Sequence, residues 1–180
     1  MATVNSYTAR MPTPDRTSLD EIVMVARELL ERDELTMQAV ALRVGVRPPS
    51  LYKRVQSRDE LVRLVAEATL AEFALFEGDV YAVAGAFRAF AHTHPAAFRL
   101  VMSRSNVAPE LIAASSEPIL RAAAALAGPS NALVAARTLT AWANGFIGME
   151  LSGGFNLDGS VDEAWEYGLA RLVEAISLKA

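Results

Sequence analysis

The sequence predicts an all-α protein of about nine helices, and three features lead to that prediction. Apolar residues recur at a spacing of three and four that places them on one face of a helix, and no segment has the period-two alternation of a strand. Capping boxes start at Ser18, Ser57 and Ser160, because each serine is followed three residues later by a glutamate. The hydrophobic fraction of 52% is rich in alanine and leucine, so the 180 residues suffice for one or two small domains with an apolar core.

The chain is predicted to start with a disordered arm over residues 1–16, which are small, polar and interrupted by prolines. Ser18 precedes helix one, in which Ile22, Ala26 and Leu29 share a face at helical spacing. Thr36 precedes helix two, because its hydroxyl can accept a hydrogen bond from an amide of the first turn. The apolar face of helix one is expected to hold this first pair of helices together.

A turn and two prolines mark the third helix. Gly45 suits the left-handed position that ends helix two. A residue before proline is pushed out of the α region, so Pro48 is expected as the N-cap of helix three and Pro49 as its first residue. The second capping box then starts helix four, which is predicted to extend to about residue 76 with Leu75 on its apolar face.

The remaining chain is predicted to contain five more helices, over about residues 80–92, 95–102, 119–127, 130–151 and 161–176. Pro109 and Pro118 bracket another helix beginning before the alanine-rich helix, and Ser130 is expected to cap the long helix that follows it. Gly145 and Gly148 lie inside that long helix, where each costs about 1 kcal/mol relative to alanine. Such glycines often allow close approach of another helix or of a ligand.

The stretch from Thr36 to Arg58 is a basic island on an acidic chain. It contains five basic residues and no acid, whereas the whole chain has a formal net charge of −4. Two short helices joined by a tight turn are typical of a helix-turn-helix that presents its second helix to the DNA major groove. Neutralised phosphates supply much of the affinity of such a surface. The stretch therefore predicts a DNA-binding module.

These residues resemble a known family. The run LTMQAVALRVGVRPPSLYKRVQSRDELVRLV is similar to the DNA-binding module of the TetR family of bacterial transcriptional regulators. Two residues depart from the family pattern: Val55 stands where phenylalanine is frequent, and Met37 where a small polar residue is common. The resemblance implies a DNA-binding domain over residues 17–63, with the helix-turn-helix at about 36–55. It also implies a helical ligand-binding and dimerisation domain over residues 64–180.

The resemblance implies DNA contacts for nine residues. Ser50, Lys53 and Arg54 would lie nearest the base edges and phosphates, and Tyr52 would reach a phosphate. Arg54 or Arg47 is the expected base reader, since arginine to guanine is the commonest specific contact. The predicted set is Thr36, Gln38, Arg47, Pro48, Ser50, Tyr52, Lys53, Arg54 and Arg58. A merely solvated basic face is the alternative.

The segment AWANGFIGMELSGGF, with HPAAFRLVM upstream, resembles the C-terminal domain of a TetR subgroup with a Trp-x-x-His-Gly motif. Trp142 and Gly145 match the motif, and Asn144 stands in place of the histidine. The resemblance implies a domain that senses a small molecule and dimerises through the last two long helices. The residues expected at an apolar inducer pocket are Phe87, Phe90, Phe98, Met102, Trp142, Asn144, Phe146 and Met149. For each of them a place in the ordinary core is the simpler alternative.

Composition excludes several classes of site. The absence of cysteine removes disulfides, thiol nucleophiles and thiolate metal sites, and fits a reducing, cytoplasmic location. His92 and His94 are the only histidines, and residues two apart do not share a helix face, so no metal site is predicted. No credible catalytic set and no cofactor motif is present. No segment approaches the roughly 20 apolar residues that a membrane span needs.

Together these features predict a homodimeric, ligand-responsive regulator. The simplest form is a repressor that binds a pseudo-palindromic double-stranded DNA operator and is released by a largely apolar inducer. The alternative is a helical dimeric small-molecule-binding protein, or an enzyme, that does not bind DNA.

Overall fold

The computed structural model describes residues 17–103 and 107–177, and these residues form nine helices and no strand. The helices are α1 (Leu19–Glu31), α2 (Met37–Arg43), α3 (Pro48–Tyr52), α4 (Arg58–Phe73), α5 (Val80–Thr93), α6 (Pro95–Met102), α7 (Pro109–Ala127), α8 (Ala132–Leu151) and α9 (Val161–Ser177). The predicted all-α class is therefore confirmed. The predicted arm over residues 1–16 lies outside the described residues.

Polar caps begin four of the helices at the predicted residues. The hydroxyl oxygen of Ser18 accepts a hydrogen bond from the Glu21 amide at 3.0 Å, and that of Ser57 accepts one from the Glu60 amide at 3.1 Å. Thr36 does the same for α2 at 3.0 Å, and Ser160 does so for α9 at 3.2 Å. Each cap satisfies an amide that has no partner within its helix, a contribution of about 1 kcal/mol.

A buried core holds α1 to α4 together. Its members with no exposed surface include Ile22, Val40, Leu51, Val55 and Leu61. Burying a side chain of this size contributes about 1.5–3 kcal/mol. A helix of five residues is not stable alone in water, so α3 depends on this core for its place.

Helix α4 belongs to two cores. Leu61 and Val65 pack in the N-terminal core, whereas Leu70 and Phe73 pack in the C-terminal one. The expected domain boundary between residues 63 and 64 therefore falls inside a continuous helix. The predicted extension to residue 76 was wrong: α4 ends at Phe73, and Leu75 lies beyond the cap with 76% of its surface exposed. The chain has turned there toward Gly78, whose φ is +106°.

The C-terminal half corrects two predicted helix starts. Helix α7 begins at Pro109 rather than near residue 119, and Pro118 lies buried inside it. An interior proline removes one helical hydrogen bond, yet packing on a buried face maintains the helix here. The N-cap position of α8 is Asn131 rather than Ser130, and its side chain does not cap the helix. The Asn131 side-chain amide instead donates to the Ala127 carbonyl at 3.2 Å, which ties the end of α7 to the start of α8.

Among the described residues, no single helix has both the length and the apolar composition of a membrane span. Helices α7 and α8 pass that test only as a pair, by length and composition, and they are bent by 118° at the break between them.

An ion cluster with the buried Glu150 carboxylate at its centre joins α5, α8 and α9. Arg88 Nε donates to Glu150 Oε2 at 3.0 Å, and Arg88 Nη2 lies 2.6 Å from Asp162 Oδ1. The Glu150 side chain is only 6% exposed, and His92 Nε2 lies 3.2 Å from its carboxylate. The hydrogen bond to Glu150, against the opposing effect of burial, raises the pKa of Arg88 above its ordinary value. The guanidinium also lies 5.1 Å from the Trp165 ring centroid, so the cluster fixes the start of α9 on the rest of the domain.

Candidate nucleic-acid interface and ligand cavity

Helix α3 presents one side to solvent and the other to the N-terminal core. Leu51 is completely buried, whereas Tyr52 is 49% exposed and Lys53 is exposed. The N-cap is Arg47, with extended backbone angles, so Pro48 is the first helical residue and not the cap as predicted. Proline suits the first helical position because it has no amide hydrogen that would need a partner there. Arg47 therefore lies directly at the N-terminal end of α3.

The polar residues predicted around α3 lie at its edges. Gln38 is exposed at the start of α2, and Ser50 is half-buried in α3. The hydroxyl of Thr36 is engaged as the α2 cap. Gly45 has φ +73° in the turn, and the Val46 amide donates to the Ala41 carbonyl at 2.9 Å, so the turn has the helix-ending geometry that the sequence predicts.

Three of the five basic residues bond to the protein itself. Arg43 Nη2 lies 2.8 Å from Glu28 Oε2 of α1, so it is paired and not merely solvated. Arg58 Nε donates to the Leu35 carbonyl at 3.0 Å, and an Nη atom of Arg54 donates to the Thr17 carbonyl. These bonds fix the ends of the helix-turn-helix against α1 and the start of α2.

Arg47 and Lys53 differ from those three arginines. Within residues 17–103 and 107–177, neither side chain takes part in a hydrogen bond or ion pair. Both are exposed beside α3. They are the cations of the island most available to an added anion.

A cavity of about 120 Å³ lies in the C-terminal half, between α4, α5, α6, α7 and α8, with Leu169 of α9 also in its wall. Most of its wall is apolar, and Phe73, Phe76 and Phe87 form an aromatic corner in which Phe73 lies 5.4 and 5.3 Å from the other two ring centroids. None of the described residues that line the cavity is charged. Its polar lining residues are Ser115, Ser116, Thr140 and Asn144.

Three of the eight predicted pocket residues line this cavity: Phe87, Met102 and Asn144. Asn144 is notable because its Oδ1 is buried and has no hydrogen-bond partner, the one such side-chain atom among the described residues. Buried polar atoms are normally paired, so this atom calls for an explanation.

The other five predicted residues do not line this cavity. Phe90 and Phe98 are buried in the core, and Phe98 also lies at an open groove that shares Met102 and Asn144 with the cavity. Trp142 and Phe146 pack on Trp165 with ring centroids 4.8 and 5.3 Å away, and Met149 is 46% exposed. Helical spacing placed these side chains on α5, α6 and α8, but it did not distinguish the face toward the cavity from the faces toward α9 and solvent.

Comparison with known proteins agrees with this geometry. Residues 80–172 match the family described as the tetracyclin repressor-like C-terminal domain. This match covers more than half of the chain. The chain belongs to the TetR family.

Two curated relatives of this TetR-family chain are helix-turn-helix regulators by name. An HTH-type transcriptional regulator of Saccharopolyspora erythraea is 29% identical over 73% of this chain and 60% of its own length. An uncharacterized HTH-type transcriptional regulator of Mycobacterium tuberculosis is 33% identical over 46% of this chain and 44% of its own. The alignments thus span only about half the length of these relatives.

A solved structure has the same fold. The crystal structure of a single-residue variant of TetR from Acinetobacter baumannii, in complex with minocycline, has a TM-score of 0.67 and 22% identity, and the match covers 92% of this chain and 99% of that one. The Trp-x-x-His-Gly subgroup stays a prediction for this TetR-family chain. Trp142 of that motif packs on Gly168 of α9, where an added Cβ would lie 2.6 Å from the indole.

Glu31, the last residue of α1, has a contact that the sequence analysis did not predict. Its carboxylate accepts hydrogen bonds from the Ala96 and Ala97 amides at 2.7 and 2.9 Å, and therefore caps the N-terminus of α6. A negative charge at the C-terminal end of a helix is unfavourable because the helix dipole is negative there. The position of Glu31 in the sequence could therefore have indicated a partner outside α1.

Proposed function

We propose that this chain is a homodimeric transcriptional repressor that binds a pseudo-palindromic DNA operator and releases it when a small molecule occupies the C-terminal half. The observation that supports the proposal is the double role of α4. Its first half, with Leu61 and Val65, packs in the core that positions α3, and its second half, with Leu70 and Phe73, lines the cavity. A ligand that displaces α4 at the cavity would therefore also displace the core that positions α3.

We propose no catalytic role for the chain. We propose a cytoplasmic location, which the lack of cysteine fits.

For the DNA surface, we assign the main contacts to the exposed side of α3 and its flanks. Arg47 and Lys53 would meet DNA without first breaking a bond within the described part of the protein. Arg54 would have to exchange its bond to the Thr17 carbonyl for a bond to DNA. Arg47 therefore replaces Arg54 as the favoured base reader, with Lys53 as a phosphate contact and Tyr52 as a phosphate contact beside it.

For the dimer, we assign the pairing surface to the outer faces of α8 and α9. Val134 and Met149 are 67% and 46% exposed on α8, and Tyr167 is 70% exposed on α9. Gly145 and Gly148 lie on the same outer face of α8, and no atom of the chain lies within 4 Å of a Cβ built on either. A twofold pair would bury these apolar residues and present two α3 helices to half-sites about 34–36 Å apart.

For the coupling between the halves, we assign two contacts besides α4 itself. Glu31 of α1 caps α6, which lines the cavity through Val101 and Met102. Arg27 of α1 pairs with Glu72 of α4 at 2.7 Å. A ligand that moves α6 would therefore shift α1 and, with it, the spacing of the recognition helices. Substantial release requires the ligand to favour the released state by about 5 kcal/mol.

Minocycline is bound by the Acinetobacter protein of the same fold. That complex supports a small-molecule ligand for this chain, and we place the ligand in the C-terminal cavity. The ligand itself must fit the cavity described above, which is apolar and, over its described lining, uncharged.

The proposal is tested by fluorescence anisotropy with genomic fragments, beginning with the region upstream of the gene. Lys53→Ala should weaken binding to all fragments alike and reduce the slope of log K against log salt by about 0.9 per phosphate lost. Arg47→Ala should instead reduce the preference for the bound fragment. Arg121→Ala removes an exposed arginine of α7 and should leave both quantities unchanged. Wild-type affinity and selectivity in both the Lys53 and the Arg47 variants would refute the contact assignment.

A further inference from the structure

The cavity contains a polar group that the protein leaves unsatisfied. Asn144 of α8 lines the cavity, and its Oδ1 is buried without a hydrogen-bond partner. No hydrogen bond of the Asn144 amide occurs with any described residue. Such an atom destabilises the folded chain unless something added to the protein pairs with it.

Two of the neighbouring polar groups have already used their donors. The hydroxyls of Ser115 and Ser116 donate to the Ile112 carbonyl at 2.9 and 2.8 Å, so their protons are already used. Like Asn144 Oδ1, these oxygens can still accept. The Thr140 hydroxyl, one turn before Asn144, is the remaining polar lining group, and it makes no hydrogen bond to Asn144 Oδ1. This oxygen is therefore left as an acceptor without a donor.

The rest of the wall limits what can bring that donor. None of the described lining residues is charged, so an ionised ligand would lose its hydration without a counter-charge. A volume of about 120 Å³ is close to that of an engineered apolar cavity of about 150 Å³ that holds benzene. Phe73, Phe76 and Phe87 offer ring edges and faces to an aromatic guest.

We propose that the cavity selects a small, uncharged, single-ring molecule with one hydroxyl group, a phenol, whose O–H donates to Asn144 Oδ1. The hydroxyl oxygen can also accept from the Asn144 Nδ2 group, so the match holds for either orientation of the side-chain amide. This inference rests on the proposed function, because it identifies the chemical class of the inducer at the proposed ligand site.

The test measures binding to the full chain without DNA, by calorimetry and by ligand-dependent thermal shift. The probes are phenol, toluene and benzoate, which keep one ring and change only the substituent. Phenol should bind at least about 10-fold tighter than toluene, which has the same shape but no donor. Benzoate should produce no thermal shift. Equal affinity for phenol and toluene, no binding of phenol, or preferred binding of benzoate would each overturn the proposal.

Two variants locate the hydrogen bond. Asn144→Leu keeps the approximate shape and should abolish the preference for phenol while toluene still binds, without lowering the Tm of the empty protein. Thr140→Val, one turn earlier on the same wall, should keep the preference. Loss of the preference in the Thr140 variant instead would overturn the assignment to Asn144. The wild-type probe series decides the proposal even if a variant does not fold.

The two proposals fail separately. If the chain prefers phenol but binds no DNA fragment, the proposed transcriptional regulator is refuted and the proposed class of ligand is not. Selective DNA binding by a chain indifferent to the hydroxyl would refute only the ligand class.

Discussion

Replacing Glu31 tests whether the contact between α1 and α6 links the two halves of the molecule. Glu31→Ala removes a carboxylate that accepts two amide hydrogen bonds at the N-terminus of α6, at 2.7 and 2.9 Å. Both amides belong to the first turn of α6 and have no partner within that helix. We therefore expect lower stability and a weaker response of DNA affinity to ligand.

The magnitude follows from the chemistry of the contact. Loss of a side-chain cap costs about 0.5–2 kcal/mol, and hydrogen bonds to a charged group contribute about 1.5–3 kcal/mol. Glu31 is partly exposed, so a loss of about 2 kcal/mol is expected after solvent screening. For a chain of this size that loss lowers the Tm by roughly 4–8 °C.

The assay combines thermal denaturation by circular dichroism with operator affinity measured with and without ligand. Glu31→Gln keeps one acceptor oxygen and should give an intermediate loss of stability. Glu28→Gln is the matched control, because Glu28 lies on the same helix and pairs with the exposed Arg43, and the Tm of this variant should change little. A Glu31→Ala protein with wild-type Tm and an unchanged ligand effect on DNA affinity would refute the proposed link.

Four further substitutions have expected outcomes. Glu150→Gln breaks a pair whose carboxylate is 6% exposed and should cost about 3 kcal/mol in chemical denaturation, whereas Asp162→Asn, at 79% exposed, should cost less than about 1 kcal/mol. Similar losses for both would contradict the burial argument. Gly168→Ala places a Cβ 2.6 Å from Trp142 and should lower the free energy of unfolding by about 1–3 kcal/mol. Gly145→Ala meets open space and should raise helix stability by up to about 1 kcal/mol, but weaken the proposed dimer in sedimentation experiments; an unchanged dimer would exclude that face from the interface.

Local features were predictable from the sequence because they depend on neighbours in the chain. The caps at Ser18, Thr36, Ser57 and Ser160 join a side chain to an amide three residues away. Gly45 ends α2 in the left-handed region for the same local reason. Local patterns therefore predict most of the helices, and the basic island between Thr36 and Arg58 predicts the DNA-binding module.

Features that depend on tertiary packing were not predictable in this way. Pro118 reads as a helix boundary, yet it lies inside α7 because burial compensates for the missing hydrogen bond. The basic island has no acid within its own stretch of sequence, but Glu28 reaches Arg43 from another helix. Helical spacing identified the apolar faces of α5 and α8, but only the arrangement of neighbouring helices decides that Phe87 lines the cavity and Phe146 does not.

The most direct test of the central claim is the binding of the wild-type chain to its own upstream region, measured by fluorescence anisotropy over a series of salt concentrations. We predict tight binding that prefers this fragment over unrelated DNA and weakens steeply with salt, because several phosphates are neutralised per dimer. Absence of a fragment preference at every salt concentration, low salt included, would contradict the account and leave a helical ligand-binding protein.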